Sequence, residues 1–512
     1  MRALDRKLFR DLRRMRGQIL SIAGVVGCGV ASVVAMGSTL QTIQRARDSY
    51  YATARFADVF ASLTRAPESV AEGVRAIPGV TAVVTRVAVS ALLEVPRLAG
   101  PGTGYFVSLD PARDPAINLV RIRSGRMVSA GHADEVLVEE HFADANTLRV
   151  GDSLGAVING RWRRLHIVGV AISPEFVHAA AAGFAQFGDS RQFGIFWMHR
   201  DALGPLYGMD GSFNDVALTL APGASEKAVI ARLDALLDRY GGGHAYGRAD
   251  QVSNRVITGE IEQLRAFGIV MPAIFLAVAA FLINVVLSRL IATQRSEIAS
   301  LKAFGYANGE IAAHFTGYAL AAVVGGALMG IPLGVWVGRR YTGLYAPFFH
   351  FPDFRHHTSL PLVLLAVVVS AVAAVLGAVG AVRAAVALPP AEGMRPPSPP
   401  VYRPLLLERL GFVHLLPSSV RMVLRTVEHR PLRTLASVLG VAMAAAVLVS
   451  GIFAFDVARY MGHLQFRVVE REDVTVAFTQ PRPARVRHEL AAVKGVRAVE
   501  GFRAVAVRIR NG

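Results

Sequence analysis

Long apolar runs recur along the chain at 17–44, 265–288, 311–338, 358–382 and 434–456. Between Arg265 and Arg289 there is no formal charge. That run makes about 34 Å of helix, enough to cross a bilayer core of about 30 Å. Between the first two runs, residues 45–264 contain no such stretch. There the pattern shortens to strands and helices. Asp58–Leu63 reads as a strand, Pro67–Ala76 as a helix and Val80–Leu93 as one long strand. Asp215–Leu220 reads as a strand and Ser225–Tyr240 as a helix, and the middle, about 95–210, is mostly strand and turn. The pattern predicts an α-helical transmembrane bundle of about five spans, with an α+β extracytoplasmic domain between spans one and two.

Charge orients this plan. Seven cations precede the first run, and Arg383, Arg395, Arg403, Arg409, Arg421, Arg425, Arg430 and Arg433 follow the fourth. By the positive-inside rule 1–16, 289–310 and 383–433 are cytoplasmic, and 45–264, 339–357 and 457–512 are outside. Arg339, Arg340 and Arg355 sit in an outside loop and weakly oppose this map. The first run could be a signal peptide, but it exceeds the usual h-region of about 7–15 residues, and the same pattern returns deep in the chain. A net charge of +17, a 53% hydrophobic composition and a mean hydropathy of +0.41 fit a multi-pass membrane protein. No basic-aromatic module or zinc spacing points to nucleic acid. A single cysteine, Cys28, excludes an internal disulfide.

Between spans two and three, RSEIASLKAFGYANGEI forms a short polar helix tethered at both ends, with Gly305 as its C-cap. Its wording resembles the signature of FtsX/MacB-type permeases of ABC systems, through Arg295, Glu297, Ile298, Leu301, Lys302, Ala303 and Gly305. The resemblance implies a cytoplasmic coupling helix that contacts a separate ATP-binding subunit, in two copies. It implies a MacB-like domain at 45–264, with LRVGDSLGAVINGRWRRLHIVGVAI as the hairpin of its inserted part. It also implies a bacterial inner-membrane location and work done outside on a lipoprotein, lipid, peptide, drug or cell-wall factor, with membrane lipid and a periplasmic or lipoprotein partner. Ile298, Leu301 and Phe304, three apart, are expected to share the face that fills a partner groove, with Glu297 and Lys302 at its rim.

Span three carries Gly326, Gly330, Gly334 and Gly338, four apart, a smooth stripe for close helix packing. Pro332 is expected to kink it. Asn284 is expected to bond across helices, and His314 to lie near the cytoplasmic end. The linker 389–404 is proline-rich and extended. The chain then repeats. Ser437, Gly440 and Val441 align with Ser21, Gly24 and Val25, Asp473 with Asp58, and Gly495 with Gly79. A full second copy would add about 270 residues and make a pseudo-dimer.

Catalytic motifs are few. There is no G-x-x-x-x-G-K-[ST] for ATP and no HExxH, and neither cofactor nor metal is expected. Gly151-Asp152-Ser153-Leu154-Gly155 fits G-x-S-x-G, but Asn159-Gly160 after it signals a hairpin, not the strand-to-helix elbow of a hydrolase. His356 is the candidate D-x-x-H partner. A hydrolase using Ser153, and a ligand-binding sensor or scaffold, are the alternatives to a permease.

Overall fold

The computed structural model describes residues 3–95, 98, 100–113, 117–178, 191–394, 417, 431–469, 471–476, 478 and 482–501. They fall in two compact units, 1–450 and 451–512. The first begins with an amphipathic helix, α1 (Ala3–Arg14). Leu8 and Leu12 pack against the bundle core while Arg6, Arg10, Arg13 and Arg14 face outward. Span one is α2 (Arg16–Thr53). It continues well past residue 44, so the outer domain stands on a helical stalk.

The outer domain has two sheets. The smaller follows the order β11-β1-β10-β2. It contains β1 (Val59–Pro67), β2 (Val80–Arg86), β10 (Ser212–Leu220) and β11 (Tyr246–Gly247). Helices α3 (Val70–Arg75) and α6 (Glu226–Leu237) cover it, burying Val70, Val74, Val229 and Leu233 against Val59, Val83, Val216 and Leu218. Everything between β2 and β10 is an insertion. Its strands are β3 (Ala88–Glu94), β4 (Gly102–Leu109), β5 (Arg121–Gly125), β6 (Glu135–Glu139), β7 (Ser153–Ile158), β8 (Arg161–Ile172) and β9 (Phe193–His199). Their order is β5-β8-β6-β9-β4-β3-β7, and β7 also pairs with β8, so six strands close into a barrel with β5 attached. Short helices α4 (Glu140–Ala145) and α5 (Arg200–Leu206) follow β6 and β9.

The expected strand Val80–Leu93 is two strands in two sheets. At the break the Val87 and Ala88 amides donate to the Ser108 and Asn214 side chains, at 2.8 and 2.7 Å. Apolar alternation continues across the break, so the pattern alone could not locate it. The hairpin is as read: Asn159 and Gly160 have φ of 46° and 74°, the left-handed pair of a two-residue turn.

The membrane part continues with α7 (Val252–Thr293), α8 (Arg295–Ala303), α9 (Asn308–Tyr345), α10 (Leu360–Val386) and α11 (Pro390–Gly393). Among the described residues, α2, α7, α9 and α10 are long and apolar enough to cross a membrane. Leu328, Leu364, Val368 and Leu376 are exposed on their outer faces, as lipid contact requires. Helix α9 runs unbroken through Pro332. The Asn284 side chain donates to the Gly377 carbonyl at 2.9 Å, joining α7 to α10. His314 is buried edge-on to Phe315 and Tyr318.

Helix α12 (Pro431–His463) contains the fifth expected segment. Most of the proline-rich linker lies outside the described residues. In the second unit, α13 (Val486–Ala491) follows α3 at the repeat offset of 416 residues. Gly79 and Gly495 end these turns with φ of 96° and 99°. The Ile77→Val74 and Val80→Ile77 backbone bonds recur as Val493→Leu490 and Val496→Val493. The second unit therefore repeats the α3 helix and its closing turn, whereas residues 496–500, the counterparts of the start of β2, are not in a strand.

Candidate coupling site

One residue, Gln294, separates α7 from α8, which ends in a tight turn. Gly305 takes a φ of 89°, its amide donates to the Lys302 carbonyl at 3.0 Å, and the Tyr306 amide donates to Leu301 at 3.2 Å. That is a Schellman stop, which a β-branched residue at 305 could not make without strain.

The polar residues of α8 hold it to its own bundle. Lys302 donates its ammonium to the Val386 carbonyl and, at 2.9 Å, to that of Leu388. The Val386 carbonyl ends α10 and that of Leu388 follows its cap, where helix dipole and unpaired acceptors favour a cation. Arg295 donates to the Glu392 carbonyl at 3.0 Å. On the other side Lys7 pairs with Glu297 at 3.0 Å and with Asp11 at 2.8 Å. Asp11 also accepts from Gln294 at 3.2 Å and from the Tyr318 hydroxyl at 3.0 Å. Burial would raise the Asp11 carboxyl, but these donors and the Lys7 charge hold it below the usual range. Residues from α1, from the α7–α8 junction and from α9 thus meet on one carboxylate. In the sequence Asp11 is only a negative charge in a basic segment; the absence of a basic neighbour at Tyr318 leaves no local sign of its role.

The expected shared apolar face divides. Ile298 is 1% exposed and belongs to the bundle core, Leu301 is half-buried, and Phe304 is 84% exposed. Steps of three residues fall short of a full turn, so residues six apart drift by about 120° around a helix. Ile298 therefore points inward and Phe304 outward. Lys302 is engaged within the chain rather than at a rim. Glu297 keeps an exposed side chain beside Lys7.

The glycine stripe faces α2. A Cβ at Gly330 would lie 2.5 Å from the Gly27 carbonyl oxygen, and one at Gly334 would lie 2.8 Å from that of Ala31. Gly326 and Gly338 meet Val26 and Ser38 on the same seam. The Thr39 and Thr342 hydroxyls continue it at 3.2 Å.

Two further contacts join the outer domain to the bundle. Arg86 donates to Asp215 at 2.7 Å and to Glu175 at 2.9 Å, all three being largely buried. The two carboxylates outweigh burial and hold the guanidinium above its ordinary pKa. The Glu175 carbonyl accepts from Gln251, whose side chain in turn caps α7 at Asn254. At the second contact, Arg123 donates to the carbonyls of Phe351 and Pro352 at 3.3 and 3.4 Å, and the His350 amide donates to Val177 at 3.4 Å. The rings of His141 and His350 also meet there. Burial pushes the His141 imidazole down to about 4 and lowers that of His350.

Ser153 does acquire a histidine, though not His356. Its hydroxyl is 2.8 Å from His166 Nδ1, and His166 Nε2 is 3.6 Å from Asp134. Ser153 and His166 are cross-strand neighbours in the hairpin. All of this stands in strand-turn-strand context, half-exposed, without the helix a nucleophile elbow places after its serine. His356 instead bonds Thr342 and Thr358, at 3.0 and 3.1 Å. Among the described residues, no group of three or more His, Cys, Asp or Glu is arranged to hold a metal ion.

Residues 19–236 match the family model of the MacB-like periplasmic core domain, and residues 269–390 match that of the FtsX-like permease C-terminal region. Among solved structures, the extracellular domain of the noncanonic ABC-type transporter YknZ from Gram-positive bacteria is similar at 13% identity. That match covers 37% of this chain and 98% of that one, with a TM-score of 0.25. The periplasmic region of MacB from Actinobacillus actinomycetemcomitans is similar at 10% identity, covering 40% and 92%, with a TM-score of 0.25. A domain of a putative permease protein from Porphyromonas gingivalis is similar at 15% identity, covering 37% and 86%, with a TM-score of 0.23. No curated protein matches the chain.

Proposed function

This chain is a permease of the FtsX/MacB type, and from that premise we propose that it is the membrane subunit of an ATP-driven complex whose separate ATP-binding subunit docks on α8. The observation that carries this reading is the way α8 is mounted. It is held to α1, α9 and α10 by Lys7, Asp11, Arg295 and Lys302, with Glu297 engaged in the Lys7 pair, yet leaves the Phe304 ring open. A push on such a helix moves the bundle rather than bending a loop. An exposed phenylalanine at the end of a helix anchored in this way suits a groove with an apolar floor.

In this reading α8 faces the cytoplasm of a bacterial inner-membrane protein, and the N-terminus lies on the same side. Motion of α7 and α9 reaches the outer domain by two routes. One runs from the α7 cap at Gln251 through Glu175 to Arg86, and the other from α9 into the loop at His350. The work is done outside the membrane, and ATP is hydrolysed by the partner. Co-purification of the chain with an ATP-binding subunit, and loss of that association on altering Phe304, tests the proposal.

A further inference from the structure

His141, at the start of α4, and His350, in the loop joining α9 to α10, are 209 residues apart in sequence. Their Nδ1 atoms face each other at 3.2 Å, and their ring centroids are 4.6 Å apart with planes tilted by 54°. The centroids are closer than a head-on N–H···N bond would put them. The rings are therefore turned away from head-on alignment along the line joining the two nitrogens. Two imidazole nitrogens at about 2.0–2.1 Å from one tetrahedral ion lie about 3.4 Å apart. The nitrogens already stand near that spacing, and a turn of the two rings about their side-chain bonds would aim both at one ion.

We propose that His141 and His350 form a two-imidazole site for a divalent transition-metal ion of the zinc, nickel or copper class. Imidazole nitrogen suits these ions and not magnesium or calcium, which take oxygen. The pair supplies two ligands, and water completes the coordination. The position gives the site a consequence. His141 moves with the barrel, and His350 with the loop after α9. A bound ion clamps the outer domain to the membrane part at the joint that Arg123 and Val177 already make. The site rests on this geometry alone and does not need the ATPase partnership.

The test uses the full chain in detergent, freed of any affinity tag and stripped with chelator, with zinc chloride as the probe. Calorimetric titration is expected to show one saturable event. It weakens by at least about tenfold in His141→Asn and in His350→Asn, and is unchanged in His132→Asn, an exposed ring elsewhere. Asparagine keeps a polar atom near each Nδ1, and metal-free melting at the wild-type temperature certifies each variant's fold. A second measurement needs no variant: zinc should protect both His141 and His350 of the wild-type chain from diethylpyrocarbonate, read by peptide mass spectrometry. The absence of a saturable event, equal zinc affinity in folded Asn variants, or unprotected rings in the zinc-loaded chain would each reduce the pair to an ordinary hydrogen bond and overturn the site.

Discussion

Lys302 donates its ammonium to the Leu388 carbonyl at 2.9 Å, tying α8 to the chain just beyond the end of α10. A hydrogen bond from a charged donor is worth about 1.5–3 kcal/mol. Lys302→Met keeps most of the stem and removes the donor, leaving the α10 carbonyls to water. The expected result is a lower melting temperature in detergent, by a stability loss within that range. Melting at the wild-type temperature would mean that the tie is not formed.

The α2–α9 seam should tolerate no side chain at its narrowest point. Gly330→Val brings carbon against the Gly27 carbonyl and Val30, while Gly343→Val on the same helix meets open space. Overpacking costs about 1–3 kcal/mol. Folded, monodisperse yield in detergent should fall for Gly330→Val and hold for Gly343→Val. Equal yields would show that the two helices are not this close.

Arg86 is expected to be the most sensitive polar residue of the outer domain. Arg86→Met leaves Glu175 and Asp215 buried without their counter-ion, and breaking such a pair costs about 3–5 kcal/mol. Chemical denaturation of the purified chain, followed by tryptophan fluorescence of the outer domain, should detect a large shift of midpoint. A small shift would mean that water or other donors replace the guanidinium.

Topology can be read directly. In a Cys28→Ala background, Lys227→Cys on α6 and Ser296→Cys on α8 place single exposed thiols. An impermeant maleimide added to intact cells should label the first and not the second. Equal labelling would reject the orientation derived from the basic flanks.

The spans, the short helix α8 and the repeat were legible because they are written locally, in run length, cap glycine and wording. The two-residue turn at Asn159-Gly160 also fixes register. Counting outward from it puts His166 opposite Ser153, so that neighbour could have been found from sequence. Other features depend on tertiary placement. Asp11 becomes a junction only because α1 folds back against Tyr318. His141 meets His350 only because the barrel docks on the loop after α9. The break at Val87 depends on side chains of Ser108 and Asn214, which no alternation pattern reports. The division of Ile298 from Phe304 was computable from helix geometry, since three-residue steps precess.

The central claim is that α8 receives a separate ATP-binding subunit, and Phe304 gives the cleanest access to it. At 84% exposure its side chain contributes little to this chain's own packing, whereas Ile298 and Leu301 would confound docking with folding. Burying a side chain of this size in a partner groove is worth about 1.5–3 kcal/mol. Phe304→Asp should therefore weaken association with the cognate ATP-binding subunit by at least about tenfold, or 1.4 kcal/mol. The measurement is a detergent pull-down of that subunit, wild type beside Phe304→Asp, with Lys227→Asp on the outer domain as control. Loss of the subunit from Phe304→Asp alone is the expected result. Retention at the wild-type level by a folded Phe304→Asp chain would contradict the account.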